Sequence, residues 1–147
     1  HVAVVQVDPG TGEVKILHYA AVHDCGRIIN PTLVRGQVHG AIAQGVGQAL
    51  TEGMVYTEDG QPVTGSLMDY ALPLADEFPD LVLDTIETPS PLNPLGVKGI
   101  GELPTVAAPV AVTNAVMDAL AGAGVRHIDT PLTPEKIWRA LRHREAT

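Results

Sequence analysis

Glu102 is the one carboxylate in the stretch PLNPLGVKGIGELPTVAAP, residues 91–109. It follows Gly96, Gly99 and Gly101 and precedes a run of small apolar residues. A glycine loop lets backbone N–H groups come close to a ligand. The loop ends where a helix is expected to begin, and helix N-termini favour negative charge. Glu102 therefore reads in two ways: as a favourable first-turn acid, or as a general base at the mouth of a small-molecule site. Gln37 and Gln44 come next, on a glycine-rich helical stretch. Each carboxamide offers two donors and one carbonyl acceptor, which suits a ligand contact, a solvated face or a buried amide pair alike.

Other constellations are weaker. His23, Asp24, Cys25 and His39 hold metal-ligand chemistry, but their spacing fits no zinc pattern, and consecutive strand residues point to opposite faces. No protein-only metal site is expected. GVKGIGE lacks the lysine and hydroxyl of a phosphate loop. Ser66 and Ser90 sit in no nucleophile-elbow sequence, so a Ser/His/Asp triad has no support.

These residues need elements to hold them. VAVVQV (2–7) and VKILHYAAVHD (14–24) flank the turn DPGTGE and read as a β-hairpin. Asn30 can cap a helix that Pro31 starts. From there to about Leu50, apolar residues fall at 34, 38, 42, 46 and 50, an i, i+4 stripe. That helix carries Gly36, Gly40, Gly45 and Gly47, each costing about 0.8–1 kcal/mol relative to Ala in an exposed helix interior. Either close packing or a ligand must need the smooth backbone. GMVYTEDGQPVTG (53–65) predicts a second hairpin around Asp59-Gly60, and LVLDTIET (81–88) a further strand. Residues 89–101 show no periodicity, as functional loops often do. A second helix over about 105–121 is expected to bury Val106, Val110, Thr113, Met117 and Leu120, with Gly122 and Gly124 ending it. Thr133-Pro134-Glu135 starts a short last helix bearing Ile137, Trp138 and Leu141. Hairpins and helices without strict alternation predict an α+β, two-layer domain: a hairpin-containing mixed sheet packed by two main helices.

The chain has 147 residues, enough for one domain with a real core. Its formal net charge of −8 argues against a nucleic-acid partner. Cys25 alone can form no internal disulfide and hold no iron–sulfur cluster, so a reducing, cytoplasmic compartment is expected. No apolar run looks as long as the roughly 18–20 residues of a membrane span. The first residues, HVAVVQV, already read as mid-sheet strand, which suggests a piece of something longer.

HDCGRIINPTLVRGQVHGAIAQGVGQAL (23–50) and ETPSPLNPLGVKGIGELPTVAAPVAVTNAVMDAL (87–120) together resemble the C-terminal part of a known protein. It is the molybdenum-binding large subunit of the xanthine dehydrogenase, aldehyde oxidase and aerobic carbon monoxide dehydrogenase family. VRHIDTPLTPEKIWRAL extends the resemblance over nearly the whole chain. It implies a molybdenum cofactor-binding domain over 1–147, as a domain or split-off subunit of a larger chain. Glu102, at the glutamate of the family's GxGE segment, is implied to be the base beside molybdenum, taking a proton from a metal-held water or hydroxyl. Gln37 matches a position that contacts the pterin, Gly99 and Gly101 the loop near the metal ligands, and Asp24 a polar cofactor contact. The cofactor implied is molybdopterin, in its cytosine dinucleotide form for a bacterial relative. FAD and 2Fe-2S clusters are implied on partner chains or domains. Leu103-Pro104 departs from the small residues that often follow the glutamate, which bears on the pocket wall.

The resulting expectation is part of a molybdenum hydroxylase acting on a small substrate: carbon monoxide, an aldehyde, a purine or an N-heterocycle. The isolated chain is expected to be inactive, because the other cofactor contacts lie elsewhere in the large subunit. Two rivals differ in class: a non-catalytic binding or assembly paralogue that kept the fold, and a small hydrolase pairing Glu102 with a histidine. Molybdenum content separates both from the molybdenum hydroxylase reading.

Overall fold

The computed structural model describes residues 1–142. The reading of one domain over 1–147 includes 143–147, which lie outside the described residues. Strands β1 (Val2–Val7) and β2 (Val14–His23) pair antiparallel as the expected hairpin. The register shifts between Val4 and Val5, where Leu17 of β2 is left without a partner. Strand β3 (Leu81–Thr85) pairs parallel to β2, with Tyr19 opposite Leu81 and His23 opposite Thr85. The sheet is therefore mixed, in the order β1-β2-β3.

Helix α1 (Pro31–Leu50) crosses between β2 and β3 in sequence. The Asn30 side chain accepts from the Leu33 N–H at 3.1 Å, and Pro31 opens the first turn, as the capping residues predict. Val38, Ile42, Val46 and Leu50 are buried, so the i, i+4 stripe faces the core. Helix α2 (Leu103–Ala121) packs along α1 and across β1, and α3 (Pro134–Arg142) closes the core through the fully buried Ile137. The result is the two-layer α+β arrangement expected, with a core of Tyr19, Ile42, Val112, Val116 and their neighbours between sheet and helices.

Three expectations are corrected. The buried stripe of α2 runs through Pro104, Ala108, Val112, Val116 and Leu120, not through Val106 and Val110, which are 77% and 57% exposed. Apolar residues surround this helix, so periodicity could not fix its phase; packing did. By length and composition the same helix is long and apolar enough to cross a membrane, contrary to the sequence reading. Here it is seated on α1 and β1. Third, residues 53–65 do turn back around Asp59-Gly60, with the Thr57 N–H on Gln61 at 2.9 Å, the Val63 N–H on Val55 at 2.8 Å and a bridge from Tyr56 to Pro62, but no full strand extends on either side. Their large apolar residues Met54, Val55 and Tyr56 are exposed, so no core face holds a longer ladder in register.

Candidate functional site

The sheet delivers Asp24 immediately after β2, where the chain turns toward α1. Its carboxylate is fully engaged. It accepts from the Gly26 N–H at 2.9 Å, from the Thr88 N–H at 3.2 Å and hydroxyl, and from Lys98 Nζ at 2.8 Å. Hydrogen bonds from Lys98 first, then Thr88 and Gly26, hold the Asp24 carboxyl well below the usual carboxylate range. Backbone bonds run alongside: Arg27 N–H to Gly96 at 3.0 Å and Lys98 N–H to Cys25 at 2.9 Å. The two segments approach so closely that a Cβ on Gly26 would lie 2.2 Å from the Gly96 oxygen. Both glycines have positive φ, +63° and +70°, so both are required there.

The glycine loop then feeds α2. Glu102 occupies the N-cap position, yet its side chain makes no capping hydrogen bond. It also takes part in none of the ion pairs among the described residues. Neither a capping bond nor an ion pair among the described residues therefore occupies this carboxylate, which leaves only the helix dipole acting on it within the chain. Its carboxylate is exposed instead.

Gln37 comes to the same place from α1. Its carboxamide oxygen lies 3.8 Å from the point a Cβ on Gly101 would occupy. One turn on, the Thr105 hydroxyl donates to the Ala41 carbonyl at 3.2 Å. A turn further, a Cβ on Gly45 would lie 2.6 Å from Ala108 Cβ and 2.8 Å from Pro109 Cδ. These pairs ascend together, so α1 and α2 run parallel, and their seam leads up to Gln37, Gly101 and Glu102. Sequence spacing alone could not have paired residues so far apart. Gly36, Gly40 and Gly99 have nothing within 4 Å of their missing side chains. Two of the four α1 glycines are therefore explained by contacts within the chain: Gly45 by α2, and Gly47 by Glu52 and Pro73. The other two border open space.

Gln44, the second glutamine singled out, is exposed farther along α1. The Ser66 hydroxyl donates to Asp69 and Ser90 Oγ accepts from the Leu92 N–H, so neither stands in a triad. Among the described residues no three His, Cys, Asp or Glu converge as a metal site. His23 is buried and its Nε2 lies 2.7 Å from His1 Nε2, with Tyr19 on the other His1 nitrogen at 2.7 Å. Burial lowers the His23 pKa and pushes the Tyr19 phenol up to about 12. A cavity of about 340 Å³ beside this chain is lined by His23, Pro31, Val34, Arg35, Val38 and Leu83, and one of about 510 Å³ lies near the far end of α1. Neither includes Gln37 or Glu102, which border open space in this chain. The residues that sequence reasoning missed are Lys98, Thr88 and Thr105. Lys98 stood within the quoted motif, but nothing local marked its partner.

The chain is 45% identical over 97% of its length to the nicotine 6-hydroxylase large subunit of Paenarthrobacter nicotinovorans. It is 40% identical, over the same share, to the carbon monoxide dehydrogenase large chain of Hydrogenophaga pseudoflava. In structure it superposes on quinoline 2-oxidoreductase from Pseudomonas putida 86 with a TM-score of 0.91 at 46% identity, covering 95% of the chain. It spans only 17% and 18% of the two curated relatives and 18% of the solved chain. Residues 1–79 match the family model described as a molybdopterin cofactor-binding domain, and the chain belongs to that family.

Proposed function

We propose that this chain is the C-terminal cofactor-binding domain of a molybdenum-dependent oxidoreductase and that Glu102 is its general base. The observation that carries the reading is the meeting of Gln37, Gly101 and an uncapping Glu102 at one end of the α1–α2 seam. The residues present fit the cofactor. Gly36, Gly40 and Gly99 leave open backbone beside a carboxamide able to donate to and accept from a pterin. No side-chain cluster competes for the metal among the described residues, so its ligands would come with the cofactor. Bound there, molybdenum in its pterin would supply Lewis acidity and an acceptor for electrons.

The chain's own contribution is positional and basic. Gln37, Gly99 and Gly101 form one wall of the cofactor site. Glu102 accepts a proton from the water that gives the product its oxygen. One base is enough where a metal provides the remaining activation. Asp24 has no lone oxygen left for the pterin, so its service to the site is to tie the loop. Relatives at 45% and 46% identity are named for nicotine and quinoline, which makes an N-heterocycle the first substrate class to test, ahead of carbon monoxide, aldehydes and purines. The remainder of the large chain and partners carrying FAD and 2Fe-2S clusters complete the electron path. The cofactor form is the cytosine dinucleotide, the compartment cytoplasmic, and the chain alone inactive.

The test is Glu102→Gln in the full assembly. Molybdenum content stays at the wild-type level while turnover falls by about 10²–10⁴. Turnover within about tenfold of wild type would exclude Glu102 as the main base. An intact complex without molybdenum would instead mark a non-catalytic paralogue.

A further inference from the structure

We infer that Lys98 is the residue that positions Glu102, acting through Asp24 and Thr88. The inference rests on the reading of Glu102 as base. Between β3 and α2 the chain runs from Ile86 to Glu102 without a strand or helix. A segment of this kind, rich in glycine, has many conformations to lose before it can hold a carboxylate in one place. Lys98 Nζ removes that freedom by joining three segments. It donates to Asp24 Oδ2 at 2.8 Å, at the end of β2, and to Thr88 Oγ1 at 2.6 Å, at the start of the loop. Its backbone N–H is held by Cys25 at 2.9 Å.

Only Gly99, Ile100 and Gly101 separate this anchor from Glu102. Ile100 packs against the core, and its carbonyl accepts from the Leu103 N–H at 3.2 Å. Beyond Glu102, the Thr105 hydroxyl fixes α2 to α1. Glu102 is thus suspended between two anchors across a short glycine span. Gly99 and Gly101, on the way to it, cannot define its place themselves.

A stability role does not explain Lys98. Its side chain is 36% exposed and that of Asp24 31% exposed. Ion pairs in such water-accessible places contribute little to folding. Charge-assisted bonds to two acceptors do impose direction. Misplacing a catalytic group by about 1 Å can cost about 10² in rate, so geometry is where this pair has its effect.

The experiment uses the full large chain with its partner chains and cofactor, as wild type, Lys98→Met, Lys98→Arg and Glu102→Gln. Arg139→Ala, which breaks an exposed ion pair on α3, serves as control. Three readouts are taken: molybdenum per large chain, amide hydrogen exchange over residues 96–102, and kcat and KM. The kinetic probe is whichever of nicotine, quinoline and carbon monoxide the wild type turns over fastest. Lys98→Met is expected to lower kcat about 10²-fold with KM within about threefold. Molybdenum stays unchanged and exchange at 96–101 quickens. Lys98→Arg keeps the two acceptors and recovers kcat to within about tenfold. Thr88→Val, which removes one acceptor, gives a smaller change of the same kind and stands in if Lys98→Met fails to fold. Unchanged exchange or unchanged kcat in Lys98→Met overturns the inference. So does loss of molybdenum together with kcat, which would make Lys98 a cofactor contact. Full turnover in Glu102→Gln alongside a slow Lys98→Met overturns it as well, since Lys98 would then act on another group. Should the wild type turn over none of the probes, the substrate assignment fails separately, and the exchange arm alone decides whether Lys98 orders the loop.

Discussion

The packed flank and the open mouth of this domain use the same residue types to opposite ends. On the packed flank, Asp24 accepts from Gly26, Thr88 and Lys98, and Gly45 lets α2 press against α1. At the mouth, Glu102 caps nothing, and Gly36, Gly40 and Gly99 border open space. A carboxylate saturated with donors is a structural tie. One held in position but left without partners is available for proton transfer. The glycines divide in the same way: Gly26, Gly45 and Gly96 are demanded by a neighbour inside the chain, while Gly36, Gly40 and Gly99 have none within 4 Å.

The contrast can be broken most sharply at Glu102. If the mouth is chemical and not structural, Glu102→Gln removes about 10²–10⁴ of turnover and leaves thermal unfolding unmoved. A drop in Tm comparable to that of a packed-flank variant would erase the distinction. On the flank itself, Gly45→Val drives methyl groups into Ala108 and Pro109, where even a Cβ would sit at 2.6 and 2.8 Å. Overpacking of this sort costs about 1–3 kcal/mol, read from chemical denaturation. Native-like stability would mean that α1 and α2 slide apart more easily than the seam suggests.

Much of this frame was legible in the chain, for identifiable reasons. The α1 stripe at 34, 38, 42, 46 and 50 is one-sided, and Asn30-Pro31 is a strong start signal, so helix, cap and buried face all followed. The phase of α2 did not follow, because the first half of its exposed side carries Val106 and Val110 and looks like a buried face. The candidate site was half legible. Glu102 stood out as a lone acid after glycines, and the resemblance paired it with Gln37. The tie between Asp24 and Lys98 was invisible, since 74 positions separate the two and neither lies in a periodic element that would reveal its partner. The resemblance singled out Asp24 as a cofactor contact, and the structure shows its carboxylate bonded to Gly26, Thr88 and Lys98.

That tie gives the next prediction. The Asp24 carboxyl is held below the usual range by Lys98, Thr88 and Gly26. A group with a lowered folded pKa contributes stability in full above its unfolded value, about 4, and loses it as pH falls through the folded value. The Tm gap between wild type and Asp24→Asn is therefore constant from about pH 7 to pH 5 and narrows below about pH 4. Added salt narrows it too, because the pair is partly exposed. A gap that widened toward acid would mean that Asp24 is stabilised by something other than these donors.

Gly40→Ala is the smallest effect and sets the mouth directly against the flank. Nothing in the chain lies within 4 Å of a Cβ there. Alanine should then recover the helix propensity that glycine loses, about 0.8–1 kcal/mol, and raise the stability of this chain in denaturant. Gly45→Ala, five residues on and turned toward α2, should lower it. In the full assembly the order of preference reverses at position 40, because the open space there is the space proposed for the cofactor. The same methyl group that stabilises the chain weakens molybdenum retention. Stability rising in the chain while bound metal falls in the assembly would locate the ligand face of α1 at Gly36 and Gly40. If Gly40→Ala destabilised the chain as Gly45→Ala does, both glycines would belong to the packing, and the mouth would begin only at Gln37 and Gly101.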